Sequence, residues 1–361
     1  MGEILGLGLS HYPGFIFADN EMSMRVKSTI TSPKVPVALK NPKNWPAPMQ
    51  AEWAEDEGTA FATKHREEFV EGVRIARKAL DDFAPDVVVI FGDDQYENFK
   101  EDIIPPFCVS IAGSYETQPH LRSFPRPQRP NVWEEPYDKT FVTPGHRQVA
   151  KHLVTELMGQ GFDVPYSYKD LHLDGLGHAF INTVMYLDYD RTGWDYPIVP
   201  FQINAYGRNV VSGKGLSGRL FTEEDVEHDP PSPSPKRFFD LGAAVARILR
   251  DSPWRAAIIG SSSWSHAFLT DKNHWIFPDI ETDKARFEEL KSGRYTAWRD
   301  LKLEQLEESG EQELLNWIPL AGAMNELNQK ASYCQFIESW LMNSCKCVAV
   351  FPPNHGIKNA S

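Results

Sequence analysis

The sequence has few cysteines, and this scarcity limits the kinds of structural site it can hold. Its 361 residues include only four, Cys108, Cys334, Cys345 and Cys347. Four are too few for a disulfide framework, and their spacing does not match a CxxC-type zinc site. Free thiols suit a reducing compartment, so we expect a cytoplasmic protein.

Long apolar runs and clusters of basic residues are also missing. No stretch approaches the roughly 18 apolar residues of a membrane helix, and the N-terminus lacks the basic and apolar order of a secretory signal. The formal net charge is −13, without a run of Lys and Arg that would bind a phosphate backbone. No glycine-rich phosphate loop follows a predicted strand. We therefore expect no membrane, nucleic-acid or nucleotide partner.

The sequence does contain short apolar runs that alternate with helical patterns. Runs typical of buried strands lie at residues 4–9, 86–91, 196–203 and 256–259, and amphipathic patterns predict helices at 56–82, 145–159 and 238–249. A helix followed by a buried strand indicates parallel pairing. We predict an α/β fold with one large three-layer α/β/α domain, a mostly parallel central sheet and long irregular insertions. The domain spans residues 1–350, and 351–361 form a C-terminal tail.

Two stretches, residues 20–55 and 116–144, are rich in proline and show no clear periodicity. We predict that they are irregular insertions which cover the strand ends and set the size of the substrate. Residues 331–341 have an amphipathic helical pattern, and such a helix either caps the domain or docks on a neighbouring chain.

Polar residues follow the predicted strands. His11 comes after the first, residues 93–99 form a polar cluster after the second, and His266 ends a serine-rich segment after the last. Ligands of open α/β sheets bind beyond the carboxyl ends of the strands, so we expect these groups to converge. His11 together with the distant carboxylate of Glu313 suits a site that holds Fe(II) and leaves positions open.

The ordered set of motifs resembles a known family. The motifs are Leu9-Ser10-His11-Tyr12-Pro13, the strand at 87–91 with its polar cluster, Trp264-Ser265-His266, Glu313-Leu314-Leu315-Asn316-Trp317 and Gly322-Ala323-Met324. Over about residues 3–350 they are similar to the class III extradiol ring-cleavage dioxygenases, in particular to the catalytic beta subunit of protocatechuate 4,5-dioxygenase. The resemblance implies a non-haem Fe(II) enzyme that cleaves a catechol- or aminophenol-type ring with O₂. It also suggests a homo-oligomer, or a hetero-oligomer with a small subunit.

The resemblance assigns roles to individual residues. It implies that His11 and Glu313 bind Fe(II), and that His266 transfers protons as the catalytic acid-base. The second histidine ligand of the family falls at Gln95. Three alternatives are open there: the amide oxygen of Gln95 binds the metal, Asp94 replaces it as an oxygen donor, or the site is poor in metal.

Four further residues are candidates for contacts with the substrate. His178 lies near the position of a family motif and is a catalytic candidate, either as a substrate contact or as a group behind the ligands. His120 is expected to reach the substrate from the second irregular stretch, and Tyr12 and Tyr206 to orient a phenol or carboxylate. Two other functions stay open because a fold does not determine a function. They are a metal-dependent enzyme for a non-catechol substrate and a non-catalytic subunit of an active partner.

Overall fold

A computed structural model describes residues 2–121, 130–213 and 227–353 of the chain. In these ranges the strands are β1 (Ile4–Leu9), β2 (Val87–Asp93), β3 (Phe107–Ser110), β4 (Ser114–Thr117), β5 (Phe141–Pro144), β6 (Tyr166–Ser167), β7 (Ile198–Ile203), β8 (Ala256–Ser261), β9 (Tyr333–Ile337) and β10 (Lys346–Phe351). The helices are α1 (Met24–Thr29), α2 (Ala47–Trp53), α3 (Thr59–Phe83), α4 (Arg147–Gly159), α5 (His178–Leu187), α6 (Pro235–Arg250), α7 (Ile280–Ser292), α8 (Thr296–Arg299), α9 (Leu303–Ser309) and α10 (Trp317–Glu326). Among these helices, not one combines the length and the apolar character needed to span a lipid bilayer.

The central sheet has eight strands in the order β6-β3-β7-β2-β8-β1-β10-β9. The four strands in the middle, β7, β2, β8 and β1, are parallel, whereas β10 pairs antiparallel with β1 and β3 pairs antiparallel with β7. The parallel strands are apolar throughout because both of their faces are covered. The predicted α/β class with a mostly parallel sheet is confirmed.

Helices cover both faces of the sheet and complete three layers. Side chains of β2 alternate between the layers, so Val87, Val89 and Phe91 pack with α4, α6 and α10. Val88 and Ile90 point the other way and pack with α3 and α5. Each such buried aliphatic side chain stabilises the fold by about 1.5–3 kcal/mol relative to an exposed one.

Two glycines of β1 allow α10 to lie directly on the strand. A Cβ at Gly8 would lie 2.3 Å from ring carbons of Trp317, and one at Gly6 would lie 2.4 Å from the sulfur of Met324. The absence of side chains on this face of β1 therefore lets α10 contact the sheet from Trp317 to Met324. This close packing holds the segment before α10 above the strand ends.

Several local predictions differ from the structure. The sequence pattern predicts a helix at residues 331–341, but Tyr333–Ile337 is strand β9 and pairs with β10. Neither of these two strands was predicted from the sequence. The stretch 20–55 contains two short α-helices, α1 and α2. In the stretch 116–144, β5 pairs with β4, and residues 122–129 lie outside the described ranges. Most of the predicted tail, 354–361, also lies outside them, and the domain boundary at 350 stays a prediction.

Candidate active site

The carboxyl ends of the parallel strands meet at one edge of the sheet. Leu9 of β1 lies opposite Ser261 of β8, and Asp93 of β2 lies opposite Ile203 of β7. His11 follows β1 by two residues, so the strand register carries it to the same edge. This is the position where ligands bind in open α/β sheets.

His11 is buried and held from two sides. Its Nδ1 lies 3.0 Å from Ser261 Oγ, and Asn182 donates a hydrogen bond of 3.0 Å to its backbone oxygen. Burial, followed by the charges of His178 and His266, lowers the pKa of His11 well below its usual value. The ring is therefore neutral, and with Nδ1 bonded to Ser261 the lone pair of Nε2 is available for a metal.

Asp93 is a site residue that the sequence reasoning did not single out. Its carboxyl is fully buried, with Oδ1 accepting a hydrogen bond of 2.7 Å from Asn316 and lying 3.6 Å from His11 Nε2. Oδ2 has no hydrogen-bond partner among the described residues. Burial raises the pKa of Asp93, although His178 opposes part of that effect. The sequence feature that could have revealed Asp93 is its position as the last residue of an apolar strand and the first of the polar cluster.

Glu313 reaches the strand ends from a short 3-10 helix, Gln312–Asn316. Ser262 Oγ donates a 2.7 Å hydrogen bond to its backbone oxygen, and Tyr206 donates its phenolic hydrogen to Oε1. Oε2 accepts no hydrogen bond among the described residues and lies 3.6 Å from His11 Nε2. Burial and then the charge of Asp93 raise the pKa of Glu313 well above its usual value.

His178 begins α5 and is oriented by Glu97. The Glu97 carboxylate accepts hydrogen bonds from the backbone N–H of His178, at 3.1 and 3.2 Å, and lies 2.7 Å from Nδ1 of its ring. Burial opposes protonation, but the charges of Glu97, Asp93 and Glu313 outweigh it and raise the pKa of His178 to about 10. A carboxylate bonded to one ring nitrogen is the arrangement that orients a metal-binding histidine.

His266 is buried beside Glu313 and has its tautomer determined by the backbone. Its Nδ1 lies 3.0 Å from the Trp264 carbonyl, so this nitrogen carries a hydrogen, and its Nε2 lies 3.3 Å from Glu313 Oε2. Burial lowers the pKa of His266 to about 3, and the cations Lys346 and Arg25 contribute to the shift. The ring is neutral, with the Nε2 lone pair directed toward the site.

The site as a whole has the composition of a metal centre. One ligand atom from each of His11, Asp93 and His178 lies within 4.8 Å of the other two. The oxygens Oδ2 of Asp93 and Oε2 of Glu313 are buried acceptors without hydrogen bonds, which is unfavourable unless a cation or a hydrogen-bond donor lies between them. Two imidazoles with carboxylates are a donor set for divalent transition metals. The residues present therefore fit a metal ion.

The other predicted site residues lie at different places. The Asp94 carboxylate accepts the backbone N–H groups of residues 97, 98 and 99 at 3.1, 2.9 and 3.2 Å, so it shapes the turn after β2. Gln95 follows in this turn and is partly buried. His120 pairs with Glu135 at 2.9 Å. The ring of Tyr12 lies 4.0 Å from the ammonium of Lys346. Metal or substrate roles for these residues stay predictions.

Comparison with protein families matches residues 226–342 to the family described as the catalytic LigB subunit of aromatic ring-opening dioxygenase. This range contains His266 and Glu313, two of the buried groups at the strand ends. This chain is related to the LigB-type ring-opening dioxygenases. The resemblance to class III extradiol dioxygenases is thereby confirmed, and the LigB type implies a metal cofactor, for which the cluster of His11, Asp93 and His178 is the candidate site.

Curated relatives of this chain carry the name 2,3-dihydroxyphenylpropionate/2,3-dihydroxicinnamic acid 1,2-dioxygenase. The protein of Pseudomonas putida is 26% identical over 205 residues, 55% of this chain and 49% of the relative. That of Dechloromonas aromatica is 27% identical over 223 residues, 60% and 53% of the two chains. That of Rhodococcus jostii is 29% identical over 195 residues, 53% and 46%. The chain thus spans about half the length of the curated relatives it matches.

A solved structure of an uncharacterized protein from Escherichia coli K12 aligns with 78% of this chain and 91% of that one. The TM-score is 0.44 and the identity 12%, values too low to support an argument about fold or function.

Proposed function

We propose that this chain opens catechol-type aromatic rings with O₂ by means of one non-haem Fe(II). The observation that carries the proposal is the group formed by the buried His11 and Asp93 with the partly buried His178, whose donor atoms lie within 4.8 Å of one another. Two histidines and one carboxylate hold Fe(II) on one face and leave positions open for O₂ and substrate. The relatives are named for catechols, which supports this substrate class over aminophenols.

We assign His11, His178 and Asp93 as the metal ligands, with Oε2 of Glu313 as a further oxygen donor. Oε2 lies 3.6 Å from His11 Nε2 and has no hydrogen bond of its own. Gln95, which the resemblance aligned with a ligand, is the alternative donor from the same turn. When bound, the ion supplies a template for the two adjacent substrate oxygens and a route for electrons between ring and O₂.

His266 is proposed to move the substrate's proton. A general base needs a free lone pair within reach of the proton it takes. Nε2 of His266 meets the first condition because Nδ1 is bonded to Trp264, and its 3.3 Å distance to Glu313 Oε2 places it beside the metal ligands. The ring accepts a proton from a substrate hydroxyl and returns it after ring opening. The surrounding side chains are buried, so they exclude water from this transfer.

A cytoplasmic location and an oligomer, either of identical chains or with a small subunit, belong to the same proposal. They rest on the composition and the resemblance described above.

The test is to load metal-free protein with Fe(II) under anaerobic conditions and then to add O₂ and a panel of catechols and aminophenols. We expect about one iron per chain, O₂ uptake and the absorbance of a ring-opened product. His11→Ala and Asp93→Ala should lose most of the iron, because each removes a ligand. His152→Ala is the matched control, since this histidine packs on Trp254. A Gln95→His variant tests the position of the family's missing histidine.

Three results would contradict the proposal. A protein that retains zinc and consumes no O₂ with any member of the panel is a different metal-dependent enzyme. A protein that takes up no metal but forms a stable complex with another chain is a non-catalytic subunit. Iron binding by the Gln95→His variant alone would mean that the native site does not hold the metal.

A further inference from the structure

Arg25, in α1, has no partner for its charge among the described residues. It forms neither a hydrogen bond nor an ion pair with these residues. Its guanidinium lies over an aromatic ring, that of Phe268. The other arginines of these ranges all have polar partners, as Arg66 has Asp19 and Arg77 has Asp81. Arg25 is also partly buried. A guanidinium removed from water without an anion is unfavourable, so an anion at this position would be bound readily.

The guanidinium lies at the border of the proposed active site. Its Cζ is 4.4 Å from the centre of the Phe268 ring, and that ring is 5.4 Å from the ring of His266. His266 in turn lies 3.3 Å from Glu313. One aromatic side chain therefore separates Arg25 from the proposed acid-base. The charge of Arg25 also acts on the site. Burial is the main cause of the lowered pKa of His266, and Arg25 is among the cations that lower it further.

A second cation in this region, Lys346, is already satisfied. Its ammonium lies 3.2 Å from the Met342 oxygen and 3.0 Å from Ser344 Oγ, bonds the Ser344 carbonyl, and rests on the ring of Tyr12. All three ammonium hydrogens thus have acceptors within the protein. Arg25 differs because its guanidinium has no acceptor among the described residues. Its N–H donors are therefore available to a ligand.

We propose that Arg25 binds a carboxylate on the substituent of the substrate ring, so that the site selects catechols with an acidic side chain. This inference rests on the proposed function. Arginine suits the task because its planar fork pairs with a carboxylate through two parallel hydrogen bonds. The contact with Phe268 holds the plane of the group in place. The diol then lies at the metal ligands and the acid at Arg25, with the ring between them.

The kinetic test compares 3-(2,3-dihydroxyphenyl)propionate with its methyl ester, which has the same ring and nearly the same size but no charge. We expect wild type to prefer the acid and Arg25→Met to lose that preference, with KM for the acid raised about 30-fold or more. KM for the ester should change little, because the ester has no charge for Arg25 to bind. Any change of kcat that arises from the loss of the Arg25 charge near His266 should be the same for acid and ester, because both substrates react with the same base. Arg25→Lys should recover part of the preference.

Lys27→Met is the matched control in the same helix. Lys27 pairs with Glu57 at 2.6 Å, so its removal should leave the acid preference unchanged. Melting curves of the three variants report whether each is folded. An equal rise of KM for acid and ester in Arg25→Met, or no rise for either, would overturn the proposal.

A binding measurement separates this inference from the proposed reaction. 3-Phenylpropionate has the acid but no diol, and its binding can be measured by calorimetry without iron or O₂. Loss of binding in Arg25→Met, with retention in Lys27→Met, supports the inference even if no catechol is consumed. Absence of binding to wild type, or equal binding by wild type and Arg25→Met, overturns it while the dioxygenase reaction stands or falls on its own test.

Discussion

Replacement of Tyr206 by phenylalanine is the sharpest test of how the metal ligands are held. The phenolic hydrogen of Tyr206 is donated to Oε1 of Glu313, and both side chains are buried. The variant removes a single oxygen and leaves the ring in its place. The Glu313 carboxylate then loses the hydrogen bond that orients it, while Oε2 keeps its position near His11 and His266.

The size of the effect follows from the type of bond. A hydrogen bond to a charged group contributes about 1.5–3 kcal/mol, and about 1.4 kcal/mol corresponds to a factor of ten in an equilibrium constant. If the full free energy of this hydrogen bond contributes to metal binding, Tyr206→Phe should weaken metal affinity by about 10- to 100-fold. This is the range typical of groups that orient metal ligands.

The assay is competition between the protein and a chromophoric chelator for Fe(II), under anaerobic conditions. Tyr196→Phe is the matched control because the Tyr196 hydroxyl also bonds a carboxylate, that of Asp81 at 2.7 Å, and is exposed. This variant should bind iron as wild type does. If the affinity of Tyr206→Phe stays within about threefold of wild type, below even the lower limit expected, Glu313 is not held for the metal in the way proposed.

Two further predictions concern stability. Gly8→Ala should lower the free energy of unfolding by about 1–3 kcal/mol, because the new Cβ would meet the Trp317 ring. In Gly159→Ala no atom lies within 4 Å of the new Cβ, so urea unfolding should show no loss, and equal losses in both variants would contradict the packing argument. Burial lowers the pKa of Lys346 to about 7, so between pH 7 and 10 the unfolded chain binds a proton there that the native protein lacks. The unfolding free energy of wild type should therefore rise relative to Lys346→Met by about 1.4 kcal/mol per pH unit. Parallel pH curves would contradict this, and the exposed Lys64 supplies the control in Lys64→Met.

Local sequence patterns were sufficient where one face or both faces of an element are buried. The apolar run of β2 and the three- and four-residue spacing in α3 each predicted the element within a few residues. The order of these elements then predicted a layered α/β fold with a parallel sheet. Such patterns work because burial imposes the same periodicity on the sequence as the element has in space.

Patterns failed where pairing with a distant strand decides the conformation. Residues 331–341 contain apolar side chains at spacings that fit a helix, but Tyr333–Ile337 is a strand. Its backbone groups pair with β10, and the hydrogen bonds of that ladder outweigh the weak helical pattern. Only the tertiary structure supplies such a partner, because a short segment by itself fits both periods.

The site shows the same division. The sequence and its resemblance to a family predicted His11, Glu313 and His266 as candidates, since each stands in a recognisable motif, and the structure brings all three together. Arg25 stands in no such motif, and Asp93 only begins the polar cluster after β2, where nothing set it apart from its neighbours. Asp93 enters the site because the register of β2 against β7 and β8 carries its carboxyl to the edge where His11 lies. Arg25 lies near it because α1 places the guanidinium over the ring of Phe268. The sequence alone thus determined the layers of the fold and predicted the chemical type of the site. The strand register and the packing of distant segments decided which side chains come together at that edge of the sheet.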